Sequence, residues 1–498
     1  MLASVRSANL FGVEGRVVMV ETMVSGGLPS YSVVGLPDTA VRESRERVRA
    51  ALLSSGLAWP TTRITVNLAP ATMRKSGSGL ELAIALCLLV AGADVAAAAL
   101  EGTGVLGELG LDGRVRPVPG VLALVDALAR AGIERVVVPA DNAAEAALVQ
   151  DVEVLPARTM GELRDCLKDE LPWPEVPGPR AGTDDDGELV DLSEVRGLGV
   201  ARTALLTAAS GGHHLLFAGE PGAGKTMLAR RLPTVMAPLD REAALEVTRI
   251  HSVTGLHTSG ALVERPPLRA PHHSASVQAL VGGGSAERIR PGEITLASRG
   301  VLFLDEVAEF APSVLDALRQ PLEERVVRVS RAGITLELPA ACILVACCNP
   351  CPCARPDSQC RCSDLVRDRY RRRLSAPFLD RFDLRVRVAA PRAEEPAGAS
   401  SLEERDRVIV AVERQQHRLS GTPWRRNAHV AARALGELCA LQGAARLRFL
   451  DVCRDLRLSG RGAACVQRAA RTLADLDGVM QISDEHVEMA ASLREDVP

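Results

Sequence analysis

The segment Gly219-Glu220-Pro221-Gly222-Ala223-Gly224-Lys225-Thr226 does more than any other to limit what this chain can fold into. It is a complete GxxxxGK[ST] phosphate loop. His214-Leu215-Leu216-Phe217-Ala218 before it reads as a buried strand, and Thr226–Leu232 after it reads as a helix. That strand–loop–helix order is the context the motif requires. The glycines let backbone N–H groups turn inward around phosphate oxygens, and the helix offers its positive end. Lys225 reaches the β- and γ-phosphates as a compact charge, and Thr226 holds Mg²⁺. Only three of the 59 basic residues are lysine, at positions 75, 168 and 225. A chain so biased toward arginine keeps a lysine where a guanidinium will not serve. The loop implies an α/β core that binds a nucleoside triphosphate, read as ATP with Mg²⁺.

At 498 residues the chain has room for about three domains. Hydrophobic residues make up 47% of it but aromatics only 2%, so alanine, leucine and valine must fill the cores. A net charge of −3 excludes any global attraction to nucleic acid or membrane and leaves that task to local patches. The first residues lack the basic start and apolar core of a signal peptide. The longest apolar stretch, Leu82–Leu100, is broken by Gly92-Ala93-Asp94 and suits a core helix plus a turn better than a membrane span. The expectation is a cytoplasmic protein with no membrane contact.

Strand-like and helix-like segments alternate through residues 1–168, an α+β unit of its own. Arg16–Val24 and Arg63–Leu68 are β-branched runs, and Asp38 is placed to cap a helix that runs through Ser54 to Gly56. Leu80–Val90 and Val121–Ala131 read as helices, and Arg135–Val138 reads as a short buried strand. Residues 169–190, with four prolines between 171 and 188 and the run Asp184-Asp185-Asp186, read as a linker. Residues 191–390 form the nucleotide domain. The Pro- and Ala-rich break at 389–400 opens a helical C-terminal region, 391–498.

Inside the nucleotide domain, Gly300–Leu304 is an apolar strand that ends in Asp305-Glu306. In a phosphate-loop ATPase, Asp305 organises Mg²⁺ and Glu306 polarises the attacking water. A further strand, Cys342–Ala346, leads to Asn349, a side chain able to orient water near the γ-phosphate or, as the plainer alternative, to make a turn before Pro350. Seven of the twelve cysteines fall between Cys342 and Cys362. Cys351, Cys353, Cys360 and Cys362 form CxC-x6-CxC, a set of thiols that suits tetrahedral zinc. An iron–sulfur cluster and an unligated loop stay open beside it. Arg361, Arg367, Arg369, Arg371, Arg372 and Arg373 follow, a run that fits either phosphate backbone or a solvated or intersubunit helix.

The phosphate loop, Leu302–Glu306, Asn349-Pro350 and Pro377-Phe378-Leu379-Asp380-Arg381-Phe382-Asp383 together resemble an AAA+ ATPase of the magnesium-chelatase-like branch. Arg269–Ser274, Val281–Gly284 and Arg290–Ile294 are similar to segments of its ComM/YifB family. The resemblance spans the chain and implies a Lon-protease-like N-terminal α+β domain, an AAA+ α/β domain and a helical lid. It assigns Asn349 to sensor 1, Arg381 to an arginine finger that serves a neighbouring subunit, and Arg461 to sensor 2. Cys465 departs from the pattern, where another arginine is usual. The resemblance also implies a pore-facing insert within residues 248–292, a hexameric ring, and a DNA helicase that promotes branch migration as incoming DNA is integrated.

Gly107–Gly120 resembles the Lon segment before its catalytic lysine, yet that lysine position falls on Leu122. The serine position falls on Gly79, with Ser78 one place early. A Ser–Lys dyad needs a base that Leu122 cannot supply, so the expectation is an inactive protease domain. His272 and His273 lack a third ligand for a metal. Two other functions remain in view. One is a magnesium-chelatase motor subunit, against which stand the N-terminal domain and the lack of a DxSxS motif. The other is a scaffold that merely switches on ATP, against which stands the presence of both Asp305 and Glu306.

Overall fold

A computed structural model describes residues 1–178, 190–256, 260–285, 288–331, 334–355, 359–389 and 398–495. The acidic run Asp184–Asp186 and residues 390–397 of the second break lie outside the described residues.

The nucleotide-binding sheet has five parallel strands in the order Leu268–Arg269, Val301–Leu304, Ile343–Cys348, Leu215–Gly219 and Leu384–Val388. Helices cover both faces, so the three central strands, Val301–Leu304, Ile343–Cys348 and Leu215–Gly219, are apolar and buried throughout, whereas the edge strand Leu384–Val388 alternates with Arg385 and Arg387. Successive residues serve opposite faces. Phe217, Phe303 and Val345 pack toward the helical C-terminal region, while Leu216, Leu302 and Leu344 pack toward Phe310, Phe378 and Phe382. With almost no aromatics to spend, the chain buries Phe217, Phe303, Phe310, Phe378 and Phe382 completely. The order places the strand ending near Asn349 between the phosphate-loop strand and the strand ending at Asp305. Three functional loops therefore leave the same carboxyl edge, where parallel sheets bind their ligands.

Two antiparallel hairpins accompany this core. One, Gly282–Ser285 with Arg288–Pro291, lies within the expected insert. The other, Val326–Arg331 with Ile334–Pro339, was not anticipated. Val327, Val329, Leu336 and Leu338 are buried on its inner face, while Arg328 and Glu337 pair outside at 2.8 Å.

The N-terminal region holds a seven-stranded mixed sheet in the order Ser30–Val34, Arg63–Ala69, Glu14–Ser25, Leu2–Phe11, Thr103–Val105, Arg135–Pro139 and Glu153–Ala157. Helices Thr39–Ser54, Glu81–Ala91 and Val121–Arg130 pack on it, and Asp38 caps the first through Val41 N–H at 2.8 Å. The strands Leu2–Phe11, Ser30–Val34, Thr103–Val105 and Glu153–Ala157 are additions to the sequence reading. Gly12-Val13 turns between the first two long strands, with Gly12 at φ +67°. Val13 lies in the apolar cluster beneath the nucleotide sheet, 2% exposed, and a Cβ on Gly12 would meet Leu336 and Leu338 at 3.2 and 3.3 Å. Arg249 adds a bridge to Asp126 at 3.4 Å.

Helices Ser401–Arg418, Gly443–Asp455, Gly460–Leu476 and Asp484–Ser492 build the C-terminal region. A capping box at Ser400 and Glu403 opens the first. Asp475, 1% exposed, receives Arg418 at 2.7 and 2.6 Å and Asn427 at 2.9 Å, which supplies the pairing a buried carboxylate needs. The chain end returns to the sheet, where Arg385 N–H donates to Leu493 O at 2.7 Å and Glu495 N–H donates to Arg385 O at 3.0 Å. Among the described residues, no helix is long and apolar enough to cross a membrane.

Candidate functional site

Gly222 and Gly224 sit at φ +79° and +90°, in the left-handed region that lets consecutive N–H groups face one concavity. Gly222 has open space where a Cβ would stand. Helix Lys225–Val235 starts directly after Gly224 and directs its free N–H groups at the loop. Lys225 is nearly buried. Its Nζ donates to Gly219 O at 2.7 Å, Glu220 O at 2.8 Å and Asn349 Oδ1 at 3.1 Å. Burial pulls its pKa below the usual lysine value, against opposing charges that include Asp305 and Glu306. The ammonium thus rests on weak acceptors, which phosphate oxygens outcompete.

Thr226 Oγ1 donates to Asp305 Oδ2 at 3.0 Å. A hydroxyl and a carboxylate converging at a helix N-terminus are the hard oxygen donors that Mg²⁺ prefers, so the residues present fit Mg²⁺ and ATP. Glu306 is exposed beside them at φ +48°, ψ +49°, a left-handed conformation for a residue with a long side chain. Its N–H donates to Asp305 Oδ1 at 3.0 Å. Backbone strain of this kind persists only where the surroundings enforce it, and it gathers at active sites. The structure therefore brings together Lys225, Thr226, Asp305, Glu306 and Asn349.

Arg381 and Arg461 stand apart from that group. Arg381 Nη2 donates to Glu323 Oε2 at 2.7 Å, and its side chain is 12% exposed. Burial, then the neighbouring charge of Arg461, holds its pKa below the usual arginine value. Arg461 is exposed in the first turn of helix Gly460–Leu476 and makes no hydrogen bond or ion pair with the phosphate loop of its own chain. The sequence assigns these arginines one by one, and no local pattern links the segments that carry them. Asp383 and His213, which link those segments, carry no signal of that role in the sequence, although Asp383 ends the Pro377–Asp383 motif.

The sulfurs of Cys351, Cys353, Cys360 and Cys362 lie within 4.8 Å of one another, at 3.4 Å for 351–360, 3.5 Å for 351–353 and 3.6 Å for 353–360. Four sulfurs at about 2.3 Å from one zinc ion would be about 3.8 Å apart, so the set fits a single ion. It is the one such gathering of metal-ligating side chains among the described residues. His272 and His273 stack at 4.0 Å between ring centroids and gather no third ligand. Helix Asp364–Arg371 follows the cysteines. Arg369, Arg371 and Arg372 are exposed and make no ion pair among the described residues, whereas Arg373 is held by Glu309 at 3.0 Å.

In the N-terminal sheet, Lys75 is fully buried and its ammonium donates to Gly35 O at 3.1 Å and to Pro70 O. Ser78 Oγ bonds to Glu108, and Leu122 is an apolar core residue. No lysine serves Ser78 among these contacts.

Three family models match in succession. They are described as subunit ChlI of Mg-chelatase over residues 20–142, magnesium chelatase subunit ChlI over 191–396, and the ChlI C-terminal region over 398–494. The first match removes one argument against a chelatase motor, because a ChlI description now reaches the N-terminal region. A protein of Mycobacterium tuberculosis is 44% identical over 97% of both chains. YifB of Salmonella typhimurium is 38% identical, and competence protein ComM of Haemophilus influenzae 37%, each over 99% of this chain and 97% of the relative. With the parallel sheet, the nucleotide loop and full-length relatives in agreement, the chain belongs to the ComM/YifB family of magnesium-chelatase-like AAA ATPases.

Proposed function

We propose that this protein is an ATP-hydrolysing ring motor, hexameric and cytoplasmic, that acts on DNA as a helicase and promotes branch migration while incoming DNA is integrated. The observation that carries hydrolysis is the convergence of Lys225, Thr226, Asp305, Glu306 and Asn349 at one sheet edge. Glu306 takes the proton of a water that Asn349 helps to orient, the water oxygen bonds to the γ-phosphorus, and the bond to the ADP oxygen breaks. Thr226 and Asp305 would hold Mg²⁺, which would supply neutralisation of phosphate charge. Arg381 and Arg461 read the γ-phosphate at a subunit boundary. The N-terminal region serves ring assembly or binding, without protease activity.

The DNA reading is supported by a full-length relative named a competence protein and by the exposed Arg369, Arg371 and Arg372, which make no ion pair among the described residues. One zinc ion on the four cysteines is part of the same reading, as a clamp on the loop that follows Asn349. A magnesium-chelatase motor is the second reading, favoured by the family descriptions. ATP turnover with and without forked or single-stranded DNA separates the two. DNA should accelerate hydrolysis, and its binding should weaken steeply as salt rises. A protein that assembles with ATP yet neither binds forked DNA nor responds to it overturns the helicase reading.

A further inference from the structure

Arg381 and Arg461 lie far apart in the chain, yet the segments that carry them meet, and the charge of Arg461 is among those that lower the pKa of Arg381. The meeting point is a carboxylate, Asp383. Asp383, two residues after Arg381, accepts a hydrogen bond from Cys465 Sγ through Oδ1 at 3.0 Å. Cys465 lies one helical turn after Arg461 on helix Gly460–Leu476, on the same face. This one bond therefore joins the two arginine-bearing segments.

The other carboxylate oxygen, Oδ2, is 3.1 Å from His213 Nδ1, and His213 immediately precedes His214 and the phosphate-loop strand. His213 Nε2 lies 2.9 Å from Thr472 Oγ1, further along the same lid helix. Thr472 Oγ1 also accepts from Asn427 Nδ2 at 3.0 Å, which connects the chain of bonds to the buried Asp475. Arg494 closes the remaining side by donating to the main-chain oxygens of Phe382 and Asp383, at 2.8 Å each. Cys465 and His213 are 1% and 0% exposed, and the Asp383 side chain is 13% exposed. Burial pushes the Asp383 carboxyl upward, but the hydrogen bond and charge of His213 more than reverse this and leave it well below the usual carboxylate range. A buried anion here is costly unless it does something for its neighbours.

We propose that Asp383 is a positioning residue: bonded to Cys465 and His213, it holds Arg381 and Arg461 as one pair and fixes both against the core that carries the phosphate loop. The inference rests on reading the two arginines as partners of a γ-phosphate. It adds that neither takes up its place independently of the other, because the finger segment and the lid helix share one carboxylate.

The test uses the full-length protein and measures kcat and KM for ATP together with the affinity for a fluorescent ATP analogue. Asp383→Asn and Cys465→Ala should lower kcat by about tenfold or more, with KM and nucleotide affinity within about twofold, because only transition-state contacts are displaced. Cys465→Ser should restore turnover, since its hydroxyl donates to the same oxygen. Asp383→Asn should cost nothing further in a background that carries both Arg381→Ala and Arg461→Ala. Parental kcat in Asp383→Asn, equal rates for Cys465→Ala and Cys465→Ser, or full additivity with that double variant would each overturn the proposal. So would lost nucleotide affinity in both Asp383→Asn and Cys465→Ala, which would mark the network as merely structural. A parent protein with no ATPase removes the ATPase reading and this inference together. ATPase that DNA leaves unaffected refutes the helicase reading and leaves this one standing.

Discussion

Glu306 allows strain and chemistry to be separated at one position. Its backbone sits at φ +48°, ψ +49°, where a residue with a Cβ pays about 1–2 kcal/mol that asparagine largely avoids. Glu306→Gln keeps the shape and the strain but loses the carboxylate. Glu306→Asn loses the carboxylate and relieves the strain. Both should bind ATP and turn it over about 10²-fold or more slowly than the parent, as expected when the group that polarises water is removed. Only the asparagine variant should gain stability, by about 1 kcal/mol over the glutamine variant. For a unit the size of the nucleotide domain, that is a rise of roughly 2–4 °C in Tm. Thermal unfolding of nucleotide-free protein reads the first quantity, and phosphate release reads the second. If Glu306→Asn melts no higher than Glu306→Gln, the backbone stores no strain there. If Glu306→Gln hydrolyses ATP at the parental rate, Glu306 is not the base.

Three further outcomes are expected. Mixing Arg381→Ala protein with Lys225→Ala protein should restore part of the ATPase through hybrid interfaces; no recovery at any ratio, with subunit exchange demonstrated, would refute a finger that acts across subunits. Elemental analysis of protein purified without chelator should give one zinc per chain, and Cys351→Ser should abolish it; a ratio near zero, with Cys351 and Cys360 freely alkylated in the folded state, removes the metal. His214 accepts the Leu344 N–H through Nδ1 at 3.0 Å, and burial pushes its pKa from the ordinary 6.5 down to about 4. The unfolded chain therefore takes up the proton first, so this contribution to stability is complete above about pH 6.5 and declines toward pH 4, by up to about 3 kcal/mol. His214→Gln should flatten that part of the pH dependence; identical slopes in parent and variant would show that His214 does not titrate with unfolding.

The ATP site was legible because its chemistry is compressed into short runs. Leu215–Thr226 and Leu302–Glu306 each combine an apolar strand with the polar loop that ends it, and the sheet sets both on one edge. Helix limits around Asp38 and Val121 were legible for a similar reason, since caps and glycines act locally. The hairpin Val326–Pro339 is not evident from the sequence although Val327-Arg328-Val329-Ser330 and Thr335-Leu336-Glu337-Leu338 alternate as strands do, because the charged residues Arg328 and Glu337 on its outer face give so short a run the composition of a loop. Asp383 was seen as part of a motif but not as a junction. Its partners, His213 and Cys465, are brought to it only by the packing of the lid on the sheet, and no local pattern encodes that.

The two-residue turn Gly12-Val13 bears on how this protein can be cut into parts. Val13 joins the apolar cluster of the nucleotide domain that includes Leu338, while Gly12 beside it closes on Leu336 and Leu338 of the second hairpin, so the turn plugs a socket there. A truncated chain beginning near residue 190 would open that socket to water and leave apolar side chains without a cover. Such a fragment should be prone to clump and difficult to purify, whatever its nucleotide loop retains. The N-terminal region is then less a passenger on a tether than a stopper, and domain-deletion experiments on this chain would report on the missing plug before they reported on any activity of its own.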